Sequence, residues 1–85
     1  MHAIQRMFQR RITFEDVHQV LDTGEVVEQY PDDVPYPRRL LLGWRGSRPL
    51  HVVVAEDSDA GTAIVVTVYE PDPSGWDSDF RRRVQ

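Results

Sequence analysis

Eighty-five residues leave room for one domain, and the absence of cysteine removes any disulfide framework or thiolate metal site from consideration. A chain this short buries only about 60–65% of the surface its unfolded form would expose, so it needs an efficient core or self-association. The net charge of −4 and the isoelectric point near 5.2 exclude a protein that grips nucleic acid over its whole surface. No apolar run approaches the ~20 residues that span a bilayer, and no apolar signal segment follows Met1, so a cytoplasmic bacterial protein is expected.

In chain order, residues 2–11 carry helical periodicity. Ile4, Met7, Phe8 and Ile12 fall on one stripe, while His2, Arg6 and Arg10 repeat every four residues as a basic ridge. A second helix is expected over 14–23. Thr13 serves as N-cap with Asp16 three residues on, Phe14, Val17, Val20 and Leu21 form its apolar face, and Gly24 ends it as a left-handed C′ residue. From Glu25 the period becomes two, and strands are expected at about 25–30, 39–44, 49–56 and 62–69. Three prolines between Pro31 and Pro37 make an extended loop. Arg45–Ser47 and Asp57–Gly61 supply two hairpin turns. Residues 71–85 read as a tail pinned by Trp76 and Phe80. The fold class expected is α+β, a single domain over 1–85 with two N-terminal helices and a four-stranded, mainly antiparallel sheet.

Alternation aims the sheet. Leu50, Val52 and Val54, with Ile64, Val66 and Val68, form the purest apolar sets and are expected to meet the helices. The opposite face then carries His51, Val53 and Ala55 beside Val65, Thr67 and Tyr69. A hairpin symmetric about Asp59 sets His51 across from Thr67, with Tyr69 as its diagonal neighbour.

Every basic residue other than histidine is an arginine, in groups at Arg6–Arg11, Arg38–Arg48 and Arg81–Arg83. Metal-independent RNA cleavage requires a base for the 2′-hydroxyl, an acid for the leaving oxygen, and a cation for the developing phosphorane charge. Histidine titrates in the right range, arginine supplies charge, and tyrosine stacks on a base or donates a proton. His51, Tyr69 and Thr67 are therefore the candidate catalytic residues, with Arg6, Arg10, Arg48 and His2 as candidate phosphate or RNA ligands. The plain alternative is a His and a Tyr filling half-exposed strand positions. Three histidines without ligand spacing give no metal motif, and no nucleotide fingerprint or nucleophile motif is present, so no metal and no cofactor are expected.

Several segments in fixed order resemble a known family: His2-Ala-x-x-Arg6-Met-x-x-Arg10-Arg-Ile; Glu15-Asp-Val with Gly24-Glu; Tyr30-Pro-Asp-Asp-x-Pro35-Tyr-Pro with Leu40 and Gly43; Arg48-Pro-Leu-His51-Val-Val; and Thr67-Val-Tyr69-Glu-Pro-Asp-Pro73 with Trp76 and Phe80-Arg81. Together they resemble the bacterial domain of unknown function 4258. The resemblance implies a fold like that of RelE- and barnase-type ribonuclease toxins, with helices followed by a curved antiparallel sheet. It also implies a place beside an antitoxin-like partner. The motif positions it transfers are Arg6, Arg10, Arg48, His51, Thr67 and Tyr69.

The leading expectation is thus a toxin-like endoribonuclease domain of a toxin–antitoxin system, with RNA and an antitoxin protein as partners. The alternatives are a non-catalytic protein-binding module, marked by a negative or mixed groove, and a structural homodimer, marked by an apolar patch near Trp44, Trp76 or Tyr36.

Overall fold

The computed structural model describes residues 11–84. One helix, α1 (Phe14–Thr23), precedes four strands: β1 (Glu25–Tyr30), β2 (Arg38–Arg45), β3 (Arg48–Asp57) and β4 (Thr62–Tyr69). The strands pair antiparallel in the order β1-β2-β3-β4, a simple meander. The expectation of two N-terminal helices is corrected to one short helix before the sheet among the described residues. The stretch expected as the first helix lies outside the described residues except for Arg11, whose left-handed backbone (φ 58°) is not helical.

The capping box at α1 forms as its chemistry requires. Asp16 N–H donates to Thr13 Oγ1 (3.1 Å), and Thr13 N–H donates to Asp16 Oδ2 (3.0 Å). Gly24 is extended (φ −69°, ψ 159°), not left-handed. It is there for space: a Cβ would overlap the Val20 carbonyl and lie 3.1 Å from the Leu42 carbonyl. Gly43 acts likewise, because a Cβ there would collide with Val20 Cγ2. The helix therefore settles directly onto β2.

Ile12, Val17 and Val20 pack against Leu41, Leu50, Val52, Val54 and Val68, with Val65 at the margin. Each buried aliphatic side chain contributes about 1.5–3 kcal/mol. Phe14 and Leu21, expected on the buried face of the helix, are exposed.

Two bulges reset the strand faces. In β4 the register shifts after the Val53–Thr67 pair, so Val54 faces Val65 and Ala55 faces Ile64. The expected core set of Ile64, Val66 and Val68 is thereby broken. Val68 is fully buried and Val65 joins the core, whereas Ile64 is exposed on the other side. A second bulge in β1 puts Val26 opposite Leu41 and Glu28 opposite Leu40. Val26 thus turns toward the helix side while Glu28 and Tyr30 turn away from it. Gly46 (φ 63°) makes the two-residue β2–β3 turn with Ser47, and Gly61 (φ 67°) closes the β3–β4 turn.

Beyond β4 the chain crosses the helix-free face of the sheet. Trp76 and Arg83 form an antiparallel bridge, Asp77 N–H donates to Arg82 O (2.9 Å), and Val84 N–H donates to Gly75 O (3.0 Å). Asp77 Oδ1 accepts from the N–H groups of Asp79 and Arg81, both at 3.1 Å. The expected tail is therefore a small closed hairpin, and Trp76 is buried as anticipated. Among the described residues no helix is long and apolar enough to cross a membrane.

Candidate functional site

The site lies between the helix-free sheet face and the C-terminal hairpin. His51 on β3 is opposite Leu42 on one side and Tyr69 on the other. The expected His51–Thr67 pairing is thus shifted by one pair: Thr67 faces Val53 and becomes the diagonal neighbour. The His51 and Tyr69 rings meet edge to face at 5.4 Å between centroids. Trp76 closes over His51 at 4.5 Å, and the Arg83 guanidinium stacks 4.7 Å above the Trp76 ring. Phe80, held at a left-handed φ of 61°, accepts a hydrogen bond from His51 Nε2 at 3.0 Å and lays its ring edge against Trp44.

His51 is entirely buried by this arrangement. Burial holds its imidazole below the usual histidine range. The Phe80 carbonyl and the Glu28 charge oppose that shift without cancelling it, and Arg83 adds to it. The ring is neutral at pH 7 and carries its proton on Nε2, facing Phe80. Nδ1 and the Thr67 hydroxyl oxygen, both buried, have no hydrogen-bond partner among the described residues.

Three residues outside the site set expected from the sequence complete the cluster. Glu28 and Tyr30 arrive from β1, their side chains hydrogen-bonded to each other. Arg83 arrives from the hairpin, with Nε 3.0 Å from Glu28 Oε2 and Nη2 3.2 Å from Oε1. Burial pushes the Glu28 carboxyl up, but the bonds from Tyr30 and Arg83 outweigh it and leave the group below its ordinary value. Burial raises the Tyr69 phenol, and burial together with Glu28 raises that of Tyr30. Beside this pair Arg81 holds Glu25 with Nε at 3.0 and 2.9 Å from its two oxygens. The period-two pattern of β1 could have marked Glu28 and Tyr30. Nothing local could have paired Glu28 with a residue 55 positions away.

His51, Tyr69 and Thr67 do share one face, as expected from alternation. Arg48 does not join them: it pairs with Glu70 on the helix side. Arg6, Arg10 and His2 lie outside the described residues. Arg38, opposite Tyr30 on the helix-free face, faces Asp33, while Arg39 and Arg45 on the helix side face Glu56 and Asp16. The sheet face supplies Glu25, Glu28, aromatic rings and Arg38 at its edge, and the hairpin supplies Arg81 and Arg83.

No curated protein and no solved structure matches the chain, so the implied likeness to RelE- and barnase-type ribonucleases is not supported. One family does match, over residues 1–70, which takes in the helix, all four strands, His51 and Glu28 and stops short of the hairpin. On that match the chain belongs to the family described as Domain of unknown function (DUF4258).

Proposed function

We propose that this chain is a protein-binding module and that the helix-free sheet face is its binding surface. One observation carries the reading: the face sets Glu25 and Glu28 beside the rings of Tyr30 and Tyr69, and each glutamate holds an arginine of the hairpin. With the hairpin lifted, a surface carrying these two carboxylates suits a cationic, aromatic segment of protein better than a phosphate backbone. His51 serves as the floor of the surface, neutral and packed. The test is retention of a protein from cell extract by the wild-type chain and not by Glu25→Lys or Glu28→Lys, with both variants folded. Equal retention by all three would overturn the assignment of the face.

A second reading has its own support. Glu28, Tyr30, His51 and Tyr69 converge as an acid–base set of the kind that RNA cleavage uses. It requires the hairpin to lift before a 2′-hydroxyl reaches His51. Growth arrest on induction, relieved by His51→Ala at equal soluble level and matched by RNA cleavage in vitro, would favour this endoribonuclease reading. Normal growth with abundant folded protein would favour the binding module.

A further inference from the structure

The hairpin is built differently from a frayed terminus. Its own backbone bonds close it from Gly75 to Val84, so it holds its shape without a ladder to the sheet. Buried Pro71 and a turn closed by Gly75 N–H on Asp72 O (2.9 Å) join it to β4. Its grip on the face is made of side chains and one carbonyl: Trp76 on His51, Phe80 on Trp44, the Phe80 carbonyl on His51 Nε2, Arg81 on Glu25 and Arg83 on Glu28. Both ion pairs are substantially exposed on the arginine side, where such pairs hold weakly. The hairpin also lies wholly outside the family match, which ends at residue 70. A preformed unit, anchored by buried Trp76 and tied at its rim by two weak ion pairs, therefore sits on a surface that belongs to the family region.

We infer that the Trp76–Arg83 hairpin is a built-in competitor for the sheet face, and that the partner displacing it is a protein segment presenting two arginines one residue apart beside an aromatic side chain. The inference rests on the binding-module reading and adds the chemistry of the partner and the means of control. The charge argument is direct: Glu25 and Glu28 are filled by Arg81 and Arg83, so a displacing segment must replace two positive charges at that spacing. The aromatic requirement comes from the His51 ring, which loses its cover when Trp76 lifts. The left-handed Phe80 adds to the case, because a bulky residue at positive φ is strained and is held only while its contacts persist.

The experiment uses the full-length chain and a synthetic peptide copying residues 74–84. Peptide binding is followed by chemical shifts of the isotope-labelled chain, with the His51 ring signals as the reporter. Wild type is expected to bind the peptide weakly, because its own hairpin competes at high local concentration. The double variant Arg81→Gln, Arg83→Gln loses two exposed contacts and no core side chain, and is expected to bind the peptide roughly fivefold more tightly. Peptide carrying the same two glutamines should lose that gain, as should Glu28→Gln in the double-variant background. Phe80→Ala offers a second route to a loosened hairpin, since it removes the ring from Trp44 and leaves a side chain at the strained backbone. Equal peptide affinity in wild type and both loosened variants would overturn the inference, as would affinity indifferent to the peptide's arginines. Extract capture sensitive to Glu25 and Glu28 with no peptide exchange would sink the competitor alone. Peptide exchange without such capture would sink the binding-module reading, and the displacing partner with it, and leave only a reversibly docked hairpin.

Discussion

His51 shows how one side chain changes meaning with its surroundings. A histidine on an alternating strand can be an accessible base, and its chemistry alone makes it a candidate. Here Trp76, Tyr69 and Phe80 enclose it, and the charged groups facing it are Glu28 and Arg83. His51→Ala should cost about 2–3 kcal/mol in denaturant unfolding, through lost packing and an orphaned Phe80 carbonyl. A negligible loss would mean that the ring is not held as described. The pH dependence has a definite sign. Because the folded pKa lies below the unfolded value near 6.5, the unfolded chain takes up the proton first. This contribution is complete above that value and is lost as pH falls below it toward the folded pKa. The melting temperature should therefore fall between pH 7.5 and 5.5, and His51→Gln should flatten that part of the profile.

Among the elements, α1 is the one most plainly written in its own residues. Its cap is local, so Thr13→Ala should cost about 1 kcal/mol, measured by thermal or denaturant unfolding. Its seat is not local. Gly43→Ala should destabilise by about 1–3 kcal/mol, because the new methyl meets Val20 and the helix must retreat from β2; an unchanged midpoint would contradict that packing. The strands show the limits of alternation. Period two located all four, with β2 and β3 slightly longer than expected, but it could not register the bulges. One inserted residue exchanges the faces of everything beyond it, so Ile64 went outward and Val65 inward. A bulge has no signature in apolar periodicity because valines stand on both sides of this one.

At the scale of the molecule, three layers share two faces of one sheet: the helix core, the strands, and the C-terminal hairpin over His51. The helix-side core is small enough that Val52→Asp, which would place an unpaired charge at a fully buried position, should abolish the cooperative unfolding transition seen by circular dichroism. The sequence by itself determined the capped helix, the four strands and their turns, and the family, because each rests on neighbours within a few residues or on an ordered set of motifs. It also determined that His51, Thr67 and Tyr69 share a side of the sheet, since their spacings within β3 and β4 survive the shift in register. Only the tertiary structure decided what that side became. Glu28 with Arg83, Glu25 with Arg81, and His51 with Phe80 are contacts between residues 55, 56 and 29 positions apart. No local preference encodes such pairs; they form because the chain turns back over the sheet's second face, where Trp76 packs on His51 and the charges meet across it.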